Sequence, residues 1–359
     1  MNMQISIIGI VFLGTLTLSA VLTPAVRRIA LKSNLVDKPG FRKKHLLTTP
    51  LLGGLSIYLA FAVALVAGML ILKDPGGNMT SLAWKPLCSL VILGGGLMAI
   101  VGLVDDILGL SAVLKLLFHT VAALAVGFVF IMKGTLLNIF VTGSDFAWLA
   151  APLTILWLVG ITNSLNLLDH ADGLAAGSSA VAAVFFMIIN LLSGNYPVAF
   201  ISAALAGASA GFLIFNYNPA SIFMGDCGSN MLGFVLGIIA VLGVYTPEGS
   251  IREIAILAPL LVLSIPLIDT VFVLNYRRKA GQPLFNADRN HLAHRLMRLG
   301  LSHSQAVRIL IVIAVLMGIL ALLLPTLKPY QAVLVFAHAL GLIGLLSFFI
   351  NRAERRKKE

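Results

Sequence analysis

Four stretches of this chain gather residue types that handle phosphate, metal and sugar. The first is Asp105-Asp106, at the end of an apolar run, with Lys115 as the nearest cation. Neighbours on a helix point about 100° apart. One carboxylate can therefore approach a metal or phosphate while the other holds Lys115 or a supporting partner. The second is the run from Asn163 through Asn166, Asp169 and Asp172 to Gly173, with a polar residue at every third position. Steps of three drift by about 60° on a helix, so the set converges on one ligand only if the helix breaks, which Gly173 permits. Asn and Asp so spaced can read a base edge or ribose, or hold metal-bound water. Asp172 also suits the N-cap of a following helix.

The third stretch is Phe223-Met-Gly225-Asp226-Cys-Gly228-Ser229. Backbone N–H groups at a helix start favour phosphate. Asp226 offers the hard oxygen that Mg²⁺ takes, and Phe223 can stack on a base or simply pack. The fourth runs from Arg277 to Arg295 and contains Asp288, Arg289, His291, His294 and Arg295. His291 and His294 share a helix face at i,i+3. With no Cys ligand and no HExxH spacing, zinc is disfavoured. A His and Arg cluster better suits a diphosphate and sugar, although a basic interface helix has the same composition.

The elements that carry these residues are apolar. The 359 residues are 59% hydrophobic and 11% charged, with a mean hydropathy of +1.01. Soluble domains carry about 25% charged residues, so a water-soluble globule is excluded. Disorder is excluded by the high hydrophobicity, and two cysteines make no disulfide framework. A membrane-crossing helix needs about 20 apolar residues, and 11 stretches qualify: 4–26, 51–72, 86–104, 114–132, 146–163, 174–192, 197–215, 230–247, 254–274, 306–325 and 330–350. The expectation is an all-α polytopic membrane protein with one multi-pass domain. Its loops on one side are about 27–50, 105–115, 163–173, 216–229 and 275–305.

The first positive charges, Arg27 and Arg28, follow the first apolar run. This order reads as a retained helix with its N-terminus outside, not as a signal peptide. Alternating the loops from there puts 20 of the 25 Lys and Arg on one side, which the positive-inside rule makes cytoplasmic, C-terminus included. The net charge of +11 then anchors the chain against anionic lipid heads; nucleic acid is not expected as a partner. Asp105, Asp106, Asp169, Asp172, Asp226 and Asp269 all gather toward that face. Ionisable residues at membrane depth cost several kcal/mol and mark function by default.

Together the four stretches resemble the polyprenyl-phosphate N-acetylhexosamine-1-phosphate transferase family. The resemblance rests on Asp105-Asp106 ahead of Lys115, NSLNLLDHADGLAAG, FMGDCGSN and DRNHLAHRL, in that order, with LVDKPGFRKKH and PLLGGLSIY as the first loop and second helix. His119 stands where the family often has Gln, and His170 where it usually has Gly. The three consecutive His of the phospho-muramyl-pentapeptide branch are absent, so the chain is similar to the branch that uses UDP-GlcNAc or a related UDP-HexNAc.

The resemblance implies transfer of HexNAc 1-phosphate to undecaprenyl phosphate, releasing UMP, as the first membrane step of a cell-envelope polysaccharide. It implies Mg²⁺, replaceable by Mn²⁺, on Asp226, and Asp105 or Asp106 deprotonating or positioning the lipid phosphate. Lys115 would contact phosphate. Asn163, Asn166, Asp169, Asp172 and Phe223 would meet the uridine and metal region. Asp288, Arg289, His291, His294 and Arg295 would meet the diphosphate or sugar. The site would lie on the cytoplasmic face of a bacterial inner membrane, and a homodimer stays open. Two other classes compete. A secondary transporter would place broken helices at the midplane, often in inverted repeats, and no repeat is present. An intramembrane aspartyl protease needs two Asp facing each other within membrane helices.

Overall fold

The computed structural model describes residues 2–37, 49–72, 83–132, 147–245, 257–283 and 290–356. The order is α1 (Asn2–Lys32), β1 (Val36–Asp37), β2 (Thr49–Pro50), α2 (Gly53–Ile71), α3 (Trp84–Leu108), α4 (Ala112–Met132), α5 (Ala150–Leu168), α6 (Leu174–Leu192), α7 (Tyr196–Asn216), α8 (Gly225–Leu242), α9 (Leu257–Val262), α10 (Ser264–Lys279), α11 (Leu292–Arg298), α12 (His303–Leu323) and α13 (Pro329–Arg356). The two short strands pair antiparallel, Val36 opposite Pro50. Among the described residues, nine helices are long and apolar enough to cross a membrane: α1 to α8 and α12.

These nine correspond to the first eight and the tenth of the apolar stretches. The ninth differs. Its residues 254–256 lie outside the described residues, and the rest divides at Leu263 into α9 and α10. Pro266 has no N–H to give, so it fits the first turn of α10 and not the interior of a longer helix. The eleventh becomes α13, in which Tyr330–Gly344 is the apolar part. Several boundaries also move: α1 runs on to Lys32, and α3 runs on to Leu108, which puts Asp105 and Asp106 inside the helix and not in the expected 105–115 loop. α5 runs on to Leu168, and α8 begins at Gly225, which puts Asp226 in its first turn and not in a loop.

α8 is the hub. Nearly all of its residues are buried, and α2, α3, α5 and α6 pack around it. Lipid tails give no hydrophobic drive between helices, so close packing over small residues supplies it. At the α2–α8 crossing a Cβ on Gly54 would stand 2.1 Å from the Gly228 nitrogen. The same approach lets Gly53 N–H donate to the Phe223 carbonyl at 2.9 Å and Gly54 N–H to that of Met224 at 2.8 Å, while Phe223 N–H donates to the Pro50 carbonyl at 2.9 Å. The PLLGG turn thus clamps the chain entering α8. Away from the hub the apolar side chains face outward, among them Leu70, Leu93, Ile100, Leu117 and Phe128, as lipid contact requires.

This crossing gives a direct test. Gly54→Leu should destabilise the fold by about 1–3 kcal/mol or more through overpacking, lowering the thermal midpoint in detergent by several degrees. Gly9→Leu, where a Cβ meets nothing within 4 Å, should leave the midpoint within about 1 °C. Equal midpoints for the two variants would contradict the packing.

Candidate functional site

The site forms where the end of α3, the start of α4, the end of α5 and the start of α8 meet. α3 carries Asp105 and Asp106 in its last turns and closes at Gly109, whose φ is +65°. The two acids divide as their angular separation requires. Asp106 accepts the N–H of Asp226 at 2.8 Å with Oδ1 and that of Cys227 at 3.1 Å with Oδ2. Both its oxygens therefore serve the first turn of α8. Asp105 accepts Leu110 N–H at 2.8 Å with Oδ1 and pairs through Oδ2 with Lys115. Gly225 adopts φ +70°, and a Cβ there would lie 2.5 Å from Asp106 Oδ2. Glycine is required by both conformation and space.

Lys115 stands between two carboxylates. Its ammonium donates to Asp226 Oδ2 at 2.7 Å as well as pairing with Asp105. Asn166, on α5, donates Nδ2 to Asp226 Oδ1 at 2.9 Å and to Ser229 Oγ at 3.0 Å. Asp226 is therefore held at three points: by its backbone, by an amide and by a cation. Two of the first-turn N–H groups of α8 that the sequence offers to phosphate, those of Asp226 and Cys227, are taken by Asp106.

The polar run after Asn163 splits in three directions. α5 stops at Leu168 and Gly173 turns with φ +78°, so the anticipated break exists, opening at Asp169. Asn163 donates to the Val159 carbonyl at 2.8 Å and lies beside His119. Asp169 faces the acid cluster: burial, then the charges of Asp226, Asp106 and Asp172, push its carboxyl well above the usual range. Asp172 turns away. It accepts from Asn218 Nδ2 at 2.9 Å and Ala220 N–H at 3.1 Å, and the cap position of α6 belongs to Gly173, not to Asp172. Asp172 thus ties the α5–α6 turn to the loop before α8. Phe223 is half-buried, its backbone in the clamp at Pro50 and Gly53.

A second cluster adjoins the first through the Asp169–His170 peptide. His170 stacks on His291 with ring centroids 4.0 Å apart and lies 4.9 Å from His294. Asp269 on α10 accepts from His291 Nδ1 at 2.7 Å and from Leu292 N–H at 2.7 Å. Arg295 is buried beside them on α11. His170, Asp269 and His291 offer ligand atoms within 4.8 Å of one another. Stacked imidazoles, however, send their in-plane lone pairs along similar directions, and 2.7 Å between Asp269 and His291 is a hydrogen bond; the arrangement is that of a bonded pair. Asp288 and Arg289 lie outside the described residues.

Sequence reasoning thus found Asp105, Asp106, Lys115, Asn166 and Asp226, which the fold unites, and His291 with His294. It did not assign roles to Asp269, His170, His119 or Ser229. The signal for Asp269 was an acid in an apolar stretch.

With this geometry in view, the comparisons with known proteins are specific. Glycosyl transferase family 4 matches residues 88–244. The chain is 34% identical over 322 residues, covering 88% of it and 85% of the relative, to a probable undecaprenyl-phosphate N-acetylglucosaminyl 1-phosphate transferase of Bacillus subtilis (strain 168). The chain belongs to glycosyl transferase family 4. Within this family of polyprenyl-phosphate N-acetylhexosamine-1-phosphate transferases, it is 29% identical to the undecaprenyl-phosphate alpha-N-acetylglucosaminyl 1-phosphate transferase of Escherichia coli O157:H7, over 92% of this chain and 90% of that one. A phospho-N-acetylmuramoyl-pentapeptide-transferase of Bacillus anthracis is 33% identical over 65% of this chain and 73% of its own length. The family match spans α3 to α8 and so contains the whole acid cluster.

Two predictions follow from the bonding. Asp106→Asn keeps one acceptor oxygen and sets an amide against the second N–H, so it should cost about 1–3 kcal/mol. Thermal midpoints should fall further for Asp106→Asn than for Asp105→Asn; the reverse order would contradict the division of labour. Burial, together with the neighbouring His291 and His294, lowers His170 to about 3 against the pull of Asp269. An unfolded His170 titrates near 6.5, so between these values the unfolded chain binds the extra proton and stability falls as pH falls. Acidification from pH 7 to 4 should lower the midpoint less in His170→Phe than in the parent; parallel pH curves would count against it.

Proposed function

We propose that this chain transfers N-acetylhexosamine 1-phosphate, foremost GlcNAc 1-phosphate, from its UDP-sugar to undecaprenyl phosphate, yielding undecaprenyl-diphospho-sugar and UMP. The observation that carries this reading is the enclosed cluster in which Lys115 joins Asp105 to Asp226, in a chain of this family. An oxygen of the lipid phosphate attacks the β-phosphorus of the UDP-sugar. The bond from that phosphorus to the bridging oxygen breaks, and UMP departs with that oxygen. Such transfer rests on positioning and on neutralising charge.

Each residue has a task in this scheme. Lys115 supplies positive charge to phosphate from between its two carboxylates. Asp105 positions the lipid phosphate or takes its proton; it is the better candidate of the pair because both oxygens of Asp106 are engaged with α8. Asn163, Asn166, Asp169 and Phe223 serve the uridine and metal side. His291, His294 and Arg295, with Asp288 and Arg289, serve the diphosphate and sugar.

Mg²⁺, or Mn²⁺ in its stead, fits the donor set. Asp226, Asp105 and the Asn166 amide offer hard oxygens, and the Lys115 ammonium already occupies a cation position between two of them. Asp226, backed by Asp105, would hold the ion, which when bound neutralises diphosphate charge.

The membrane arrangement in this proposal has 11 spans, the N-terminus outside, and the site and C-terminus on the cytoplasmic face of a bacterial inner membrane. It is supported by the 20 of 25 Lys and Arg assigned to that side. The absence of three consecutive His favours a UDP-HexNAc over UDP-MurNAc-pentapeptide.

The purified chain, given undecaprenyl phosphate, UDP-GlcNAc and Mg²⁺, should release UMP, and EDTA should stop it. Asp226→Asn should slow release by about 100-fold or more. UDP-GalNAc and UDP-MurNAc-pentapeptide run alongside would fix the sugar. No UMP from any of the three, with the protein folded, would refute the reading.

A further inference from the structure

The reaction scheme leaves two buried acids without a task, and one of them, Asp172, is taken up by Asn218 and Ala220. Asp269 is 1% exposed, on a helix that ends in Arg277-Arg278-Lys279, yet its carboxylate reaches across to α11. Both of its oxygens are spent there. Oδ1 accepts Leu292 N–H at 2.7 Å, which pins the start of α11. Oδ2 lies 2.7 Å from His291 Nδ1. An ionised carboxylate only accepts, so Nδ1 carries the proton and Nε2 is left as the ring position for a ligand. The ring is also held by its face: His170 stacks on it at 4.0 Å with 26° between planes. His170 is fixed in turn by its Nδ1, 3.1 Å from the Leu167 carbonyl. A ring flip of His291 would break the Asp269 bond, and a tilt would strike His170.

We infer that Asp269 is a positioning residue for the proposed transfer: through His291 Nδ1 it turns Nε2 toward the diphosphate of the UDP-sugar. The carboxylate stabilises the imidazolium that donates from Nε2 to a phosphate oxygen. A buried acid orienting a histidine in this way fixes its tautomer as well as its direction. This role rests on the function proposed above, while the Asp269–His291 bond does not.

The test uses the full-length chain in lipid nanodiscs. Asp269→Asn should lower kcat/KM for UDP-GlcNAc by on the order of 10- to 100-fold and leave the KM for undecaprenyl phosphate unchanged. In a His291→Gln background the same substitution should cost nothing more, because the route through His291 is already gone. Multiplicative losses would overturn the role, as would an Asp269→Asn defect confined to the lipid substrate. ¹⁵N-histidine NMR at high pH, with His291 assigned by its loss in His291→Gln, should show the Nδ1–H tautomer. The Nε2–H tautomer would overturn the pairing. If the parent chain releases no UMP from any UDP-HexNAc, the transferase reading fails, and the tautomer still decides whether Asp269 orients His291.

Discussion

The bond on which the site depends is the one between Asp106 and the first turn of α8. A helix start presents N–H groups with no partner inside the helix. In a membrane interior each one left bare costs several kcal/mol. Asp106 satisfies those of Asp226 and Cys227 together, and does so from the last turn of a different helix. That single carboxylate fixes where α8 begins, how it is rotated against α3, and which way the Asp226 side chain leaves the backbone. Lys115 and Asn166 then find Asp226 already in place. A negative group at a helix N-terminus also meets the positive end of the helix dipole, so the same contact offsets part of the cost of burying Asp106.

Much of this was legible in the sequence because membrane helices announce themselves by composition. Eight of the first eight apolar stretches became helices, and the acids clustered at their ends. What was hidden follows from how hydropathy works: it measures preference for lipid. The first turn of α8 contains Gly225, Asp226, Gly228, Ser229 and Asn230, too polar for lipid. This stretch is buried in protein, where Asp106 accepts the Asp226 N–H and Asn166 donates to Ser229. The opposite error occurred at 254–274, where an unbroken apolar reading hid the division at Leu263. Asp172 shows a third limit. Its spacing from Asn166 and Asp169 made it one of a set, yet a turn of the backbone sent it to Asn218 and Ala220. Spacing fixes a face only while the helix continues.

The peptide between Asp169 and His170 joins what would otherwise be two separate features. One side chain faces the acids of α3 and α8, the other the His291 ring of α11. The chain is not helical here: α5 has ended and α6 has not begun. The break is thus the hinge of the design as much as a boundary. It brings the acid cluster and the histidine cluster to within one residue of each other.

Electrostatics then explains why the acid side needs more than Lys115. Asp105 and Asp226 converge on one ammonium, with Asp106 beside them. Asp106 is compensated by backbone N–H groups, and Asp105 and Asp226 share the lysine. Asp169 is buried in their field, and burial first, then those charges, raise its carboxyl above the usual range. In the proposed transfer, a diphosphate arriving here would add its charge to that of the carboxylates that already share Lys115. Under the proposed transfer, a cation arriving with the diphosphate would offset that charge.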